Sequence, residues 1–88
     1  MKTIWKTVLE VTDKQIIKAP KGSKFLSVAC QHNNLVIWYS CDTRAEMVEH
    51  NIYIFGTGNP IPNNFDGSFI GTALMLDGNL AWHVFREI

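Results

Sequence analysis

The chain has 88 residues, which is enough for one domain spanning residues 1–88 and too few for a second. Hydrophobic residues make up 47% of the sequence and charged residues 18%, a composition that excludes intrinsic disorder. The formal net charge is zero, yet residues 1–24 carry six lysines against two acidic residues, and residues 25–88 carry the opposite excess. No apolar run reaches the roughly 20 residues of a membrane span, and the start of the chain lacks the apolar stretch of a signal peptide, so we expect a cytoplasmic protein.

The first half of the chain predicts four strands, over residues 3–11, 14–19, 25–31 and 35–41. In the first strand, Trp5, Thr7 and Leu9 alternate with Lys6 and Val8. This alternation predicts that Trp5, Thr7 and Leu9 face the core and that Lys6 faces solvent.

The two cysteines flank a polar turn. If Asn33-Asn34 is a two-residue hairpin loop, Cys30 faces Ile37, and Cys41 lies four residues further along the same strand. Four residues of strand span about 13 Å, well beyond the roughly 7 Å that a disulfide allows between Cα atoms. We therefore expect two buried free thiols in a reducing compartment.

Residues 42–64 hold the least regular part of the sequence. Thr43-Arg44-Ala45-Glu46 matches a helix capping box, so a short helix near residues 43–49 is one interpretation, and a loop or an edge extension is the other. A strand follows at residues 51–55. The next segment, residues 56–64, is rich in glycine, proline and asparagine and predicts a long loop, a feature that is often functional.

The chain ends in a hairpin, with strands at 68–76 and 80–85 around Asp77-Gly78-Asn79. In the last strand, Trp82 and Val84 face one side while His83 and Phe85 face the other, and both sides are largely apolar. Such a strand lies centrally in a sheet or presents one face to a partner. Together these elements predict a mainly β fold, a small antiparallel β-sandwich or barrel of six to seven short strands.

The strongest candidate for a ligand site is the segment Gly56-Thr57-Gly58-Asn59 together with Tyr53. Backbone amides beside two glycines, a hydroxyl and an amide side chain suit a small anion. The segment lacks both the later lysine and the following helix of a phosphate-binding loop. A plain turn is the alternative interpretation.

Neither a metal site nor a cofactor is predicted. Five side chains are candidate metal ligands, but none of them has the paired spacing of a structural zinc site; they are Cys30, His32, Cys41, His50 and His83. No cysteine lies in the electropositive, partly exposed setting that activates a thiol. We therefore expect a protein that is not an enzyme.

Three tryptophans in so short a chain supply either core volume or binding anchors. We take Trp5, Trp38 and Trp82, with Lys6 and His83 beside them in sequence, as the candidate partner interface. The lysines of residues 1–24 could contact phosphates, but this segment has no arginine, and exposed lysines also protect sheet edges. Nucleic-acid binding is therefore not expected.

Several segments together resemble one family. They are MKTIWKTVLEVTDKQ at the start, Pro20-Lys21-Gly22 followed by Phe25-Leu26-Ser27-Val28, the run from Phe55 to Pro62, Phe69-Ile70-Gly71-Thr72, and Trp82-His83-Val84-Phe85. The chain is thereby similar to small uncharacterised proteins that phages and prophages encode, over nearly its whole length. The family commonly has a histidine where this chain has Asn59, which weakens a histidine-dependent role for that loop. The resemblance implies a phage origin and carries no catalytic assignment.

Three functions are compatible with these features. The first is a phage accessory protein that binds a host component, such as a host or defence protein, and inhibits it by occlusion. The second is a small-ligand protein that binds or sequesters a nucleotide-like signal. The third is a virion- or assembly-associated protein in which exposed apolar strand faces drive homo-oligomers. No membrane partner is expected.

Overall fold

The computed structural model describes all 88 residues, and its regular structure consists of seven strands. They are β1 (Lys2–Leu9), β2 (Lys14–Pro20), β3 (Lys24–Gln31), β4 (Asn34–Asp42), β5 (Met47–Gly56), β6 (Gly67–Met75) and β7 (Leu80–Glu87). The predicted mainly β fold with seven strands is confirmed. No helix is long and apolar enough to cross a membrane.

The strands form two antiparallel sheets packed as a sandwich. The three-stranded sheet has the order β1-β4-β3, and the four-stranded sheet has the order β2-β5-β7-β6. β7 therefore lies between β5 and β6, the central position that its two apolar faces predict. The two sheets approach each other most closely where β3 runs beside β6: a Cβ atom on Gly71 would lie 3.1 Å from Val28 Cγ2.

The core lies between the two sheets and is aliphatic. Its members lie on the inner face of each strand and alternate with residues of the outer face, most of which are exposed or half-buried; Val36 in the central strand β4 is a buried exception. The buried cluster consists of Leu9, Ile17, Val28, Leu35, Ile37, Ile52, Ile54, Ala73 and Val84. Tyr39 and Cys41 extend this core within β4, and the Tyr39 hydroxyl lies 3.0 Å from Thr7 Oγ1. The predicted inner positions of Thr7 and Leu9 are thus confirmed by the β1–β4 register.

The β3–β4 turn corrects one prediction. The loop residues are His32 and Asn33, with φ of 51° and 66°, so the loop begins one residue earlier than expected. Cys30 consequently pairs with Leu35 and not with Ile37. Both asparagine and histidine tolerate the left-handed region, so the preferences of these residues do not choose between the two registers. Both cysteines are free, with Cys41 buried and Cys30 half-buried.

Residues 43–46 form a turn, and the interpretation of a short helix near residues 43–49 is wrong. The Asp42 carboxylate accepts a hydrogen bond from the Arg44 backbone amide at 3.0 Å, and its carbonyl accepts one from Ala45 at 3.0 Å. Aspartate competes in this way with helical hydrogen bonding. The strand β5 then begins at Met47 and pairs with β2. Its backbone groups thus form hydrogen bonds to a neighbouring strand, where those of a helix would bond within the helix.

Candidate functional site

The Gly56–Asn59 segment is a tight turn that ends β5. The Asn59 amide donates to the Gly56 carbonyl at 3.0 Å, and Gly58 has a φ of +87°, which other residues rarely adopt. A Cβ on Gly56 would lie 3.2 Å from Trp82 Cζ3. Both glycines therefore have a local structural role, one in the turn and one in the close approach to Trp82.

His83 ties this turn to the four-stranded sheet. Its Nε2 lies 2.7 Å from the Thr57 hydroxyl, and its Nδ1 lies 2.9 Å from the hydroxyl of Thr72, which is its partner residue on β6. Both ring nitrogens are thus engaged by hydroxyls. No carboxylate bonds to the ring, so the arrangement lacks the group that orients the base in a catalytic triad. Its chemical capacity is to anchor the loop.

Beside His83, five aromatic rings cover the solvent side of the four-stranded sheet. We call this set the outer aromatic patch; it consists of Tyr53, Phe55, Phe65, Phe69 and Phe85. Phe65 comes from the loop after β5, and its ring centroid lies 4.8 Å from that of Tyr53, 5.3 Å from that of Phe55 and 5.7 Å from that of Phe85. Phe69 is 59% exposed. Four of the five phenylalanines of the chain therefore lie outside the core.

Two cavities of the outer aromatic patch are lined by Tyr53. One, of about 320 Å³, lies between the loop and β5 and is lined by Asp13, Tyr53, Phe55 and Asn59 among others. The ammonium of Lys14 is 5.4 Å from the Tyr53 ring centroid. The structure thus brings the predicted ligand residues Tyr53 and Asn59 together. Gly56 and Thr57 line a different cavity, of about 250 Å³, which Asn59 also lines.

The second cavity beside Tyr53 has a volume of about 240 Å³ and an acidic lining. Phe65, Asp66 and Glu87 contribute to its wall, and no basic residue does. Glu87 accepts hydrogen bonds from the Tyr53 hydroxyl at 3.0 Å and from the Asn51 amide at 3.1 Å. The patch therefore combines apolar rings with two carboxylates at one border.

The five predicted interface residues occupy separate surfaces. Lys6 and Trp38 are paired on the outer face of the three-stranded sheet. Trp5 faces the inner side of the same sheet at its edge and is 38% exposed. Trp82 points inward from β7, where its indole Nε1 is buried without a partner, while His83 points outward from the same strand. No single interface can contain all five.

The six lysines of residues 1–24 are all exposed, and none forms an ion pair. Both ion pairs of the protein are made by Asp42, with the amino group of Met1 at 3.3 Å and with Arg44 at 3.5 Å. The hydrogen bonds from the backbone and side chain of Arg44 lower the pKa of the Asp42 carboxyl, and the Met1 amino group adds to that effect.

The sequence did not predict a cluster of side chains around Arg86, which lies near the C-terminal end of β7 and faces the inside of the sandwich. The guanidinium carbon of Arg86 lies 5.6 Å from the Phe25 ring centroid, and the same ring meets His50 edge-on at 5.3 Å. His50 is 6% exposed; burial, and secondarily the charge of Arg86, lower its pKa. The alternation of residues in β7 could have indicated this cluster. It places Arg86 on the same inner face as Trp82 and Val84, where a charged residue is unusual.

No three histidine, cysteine, aspartate or glutamate side chains lie close enough together to hold a metal ion. The model of one protein family, described as Domain of unknown function (DUF7352), matches residues 1–88. No curated protein matches the chain, and neither does any solved structure. The match covers the whole chain and agrees with the prediction of an uncharacterised family.

Proposed function

We propose that the chain, which belongs to the DUF7352 family, is a phage-encoded, non-enzymatic protein that binds a host protein in the host cytoplasm and occludes its surface. The outer aromatic patch carries the proposal. Phenylalanine is usually buried in a core, and this chain places Phe55, Phe65, Phe69 and Phe85 on the solvent side of a sheet instead. Phe69 is exposed and the other rings of the patch are half-buried, and a contiguous aromatic cluster at the surface is typical of protein interfaces.

The border of the patch indicates the chemistry of the partner. Asp66 and Glu87 line the acidic cavity next to Phe65, and no cation of this chain neutralises them there. We therefore expect the partner to present an apolar surface that carries a lysine or an arginine at its border. Such a surface on a defence protein would give the inhibitor function, and the phage origin rests on the resemblance of the ordered motifs.

A pair of matched variants tests this proposal. Phe69 belongs to the outer aromatic patch and is 59% exposed, and Ile4 lies on the outer face of the three-stranded sheet and is 58% exposed. We expect Phe69→Asp to weaken binding by about tenfold or more, because the charge would be desolvated in the interface, and Ile4→Asp to leave it unchanged. Quantitative capture from host lysate, followed by titration calorimetry with the purified captured protein, measures both.

The outcomes of this comparison separate the candidate functions. Equal loss of binding in both variants would contradict docking on the patch. If instead light scattering shows dimers or larger assemblies that Phe69→Asp disrupts, the patch joins copies of this chain, as the virion or assembly function requires.

A second candidate function is the binding of a nucleotide-like ligand beside the loop after β5. The observation that favours it is the cavity of about 320 Å³ that combines the Tyr53 and Phe55 rings with the Asn59 amide. A ligand at 100 times its Kd would add about 2.7 kcal/mol to the free energy of unfolding. A thermal-shift screen with mono-, di- and cyclic nucleotides measures this. Asn59→Ala should abolish the shift, and the absence of any shift at millimolar nucleotide would refute it.

A further inference from the structure

A separate cavity opens between the two sheets at the end of the sandwich where β3, β6 and β7 meet. Its volume is about 390 Å³. Lys24 and Phe25 line it from β3, Ser68 and Phe69 line it from β6, and Arg86 reaches it from β7. No acidic residue lines it. It lies away from the Gly56–Asn59 turn, and it shares only Phe69 with the outer aromatic patch.

Arg86 is the exceptional residue of this cavity. It is half-buried, it lies opposite the core residue Ile52 on one side and Ser68 on the other, and its guanidinium rests against the Phe25 ring. It forms no ion pair, since both ion pairs of the protein belong to Asp42. No side-chain hydrogen bond of the protein involves it either, and none of its nitrogens is both buried and unpartnered. Arg86 thus lines the cavity with a guanidinium that has no hydrogen-bond or ion-pair partner in the protein and can bind an anion.

Neighbouring charges favour an anion at the same place. Lys24 also lines an adjacent depression of about 250 Å³, together with Lys2 and Lys21. The one carboxylate there, Asp42, is already engaged by cations of this chain. Clefts lined by one sign of charge concentrate the opposite ion.

The walls of the cavity indicate what the anion is attached to. The guanidinium of arginine matches a phosphate with two parallel hydrogen bonds, and a lysine ammonium adds a point charge. Phe69 is 59% exposed at the rim, where a second aromatic ring can stack on it. A ligand that binds both the guanidinium and the Phe69 ring is a small molecule with a phosphate group and an aromatic ring.

We propose that this cavity binds a small aromatic phosphate ester of the nucleoside monophosphate class, with Arg86 holding the phosphate, Lys24 adding a positive charge at the rim and Phe69 contacting the base. The site shares Phe69 with the partner surface proposed above, but Arg86 lies outside the outer aromatic patch, so substitutions of Arg86 test this site alone. It also differs in place from the cavity beside Asn59.

Titration calorimetry at low salt with three probes tests the proposal: adenosine 5′-monophosphate, adenosine and inorganic phosphate. We expect the monophosphate to bind more tightly than either fragment. Arg86→Gln should weaken it by about tenfold or more, because charged hydrogen bonds are lost. Arg86→Lys should weaken it less, because the charge remains while the fork is lost. Lys18→Gln, an exposed lysine on β2, is the matched control and should change nothing.

Four results would overturn the proposal. They are no binding of the monophosphate at millimolar concentration, equal binding of inorganic phosphate, unchanged binding in Arg86→Gln, and loss of binding in Asn59→Ala with retention in Arg86→Gln. The unfolding midpoint of each variant shows that it is folded. Amide chemical-shift changes in the unmodified protein, expected at Lys24, Ser68 and Arg86, locate the site without any substitution.

Discussion

Gly71 permits the close approach of the two sheets, and replacing it with alanine measures how tightly they are held. The added Cβ would lie 3.1 Å from Val28 Cγ2 and 3.5 Å from the Val28 amide nitrogen, and only the first contact is shorter than ordinary packing. Overpacking of this kind costs about 1–3 kcal/mol. Alanine also lowers the conformational entropy of the unfolded chain, which raises the free energy of unfolding by about 0.4–1 kcal/mol. We therefore expect Gly71→Ala to lower the free energy of unfolding by about 0.5–2 kcal/mol, or roughly 2–15 °C in Tm.

A double-mutant cycle attributes this loss to one contact. Val28→Ala removes the Cγ2 atom, and on its own it should cost about 2 kcal/mol, because Val28 is 6% exposed. The double variant should be more stable than the sum of the two losses by about 1 kcal/mol, measured by urea unfolding. Gly22→Ala is the control. Its φ of +81° is strained for alanine and nothing lies within 4 Å, so its loss should add to that of Val28→Ala. Additivity at Gly71 as well would refute the reasoning.

Three further predictions concern buried polar groups. Because the pKa of His50 is lowered in the folded protein, the unfolded chain binds more protons below about pH 6.5, and the free energy of unfolding should fall as the pH drops from 6.5 toward the native pKa. Urea unfolding midpoints from about pH 5 to 8 measure this fall. A pH dependence of the midpoint that His50→Asn leaves unchanged would contradict it. Cys41, 6% exposed, should react with a thiol reagent only on unfolding, while half-buried Cys30 reacts first; equal rates in the folded protein would be inconsistent with the structure. Tyr39→Phe should cost about 1 kcal/mol in thermal unfolding, since it loses the 3.0 Å contact with Thr7, and no loss would show that water replaces that contact.

The strand pattern was predictable because this fold buries one face of each sheet. Alternation in β1 placed Thr7 and Leu9 inward, and alternation in β7 separated Trp82 from His83, since one residue of slip reverses every side chain. The turns were harder to predict. His32-Asn33 and Asn33-Asn34 both offer residues that tolerate positive φ, and the structure uses the first pair. The backbone preferences of these residues do not distinguish the two loops.

The candidate sites were predicted less completely, for a related reason. Tyr53 and Asn59 were paired from sequence, and they do share a cavity, because both flank the same turn. The outer aromatic patch was not foreseen, since Phe65 reaches it through an irregular loop and Phe69 through a bulged strand. Alternation of apolar and polar residues predicts which face of a strand a side chain occupies. It does not predict where the side chain of a loop residue lies.

The uneven charge of the chain has two different physical origins. β1 and β2 are edge strands, and exposed lysines such as Lys6 and Lys18 hinder edge-to-edge pairing with other chains. β3 and β6 are edges too, but they run beside each other and need less protection. Edge protection thus explains most of the basic excess in residues 1–24 without a ligand. It does not explain Arg86, which belongs to the acidic part of the chain, faces inward and lacks a carboxylate partner. The charge on which the proposed phosphate site depends therefore lies outside the lysine-rich segment, residues 1–24.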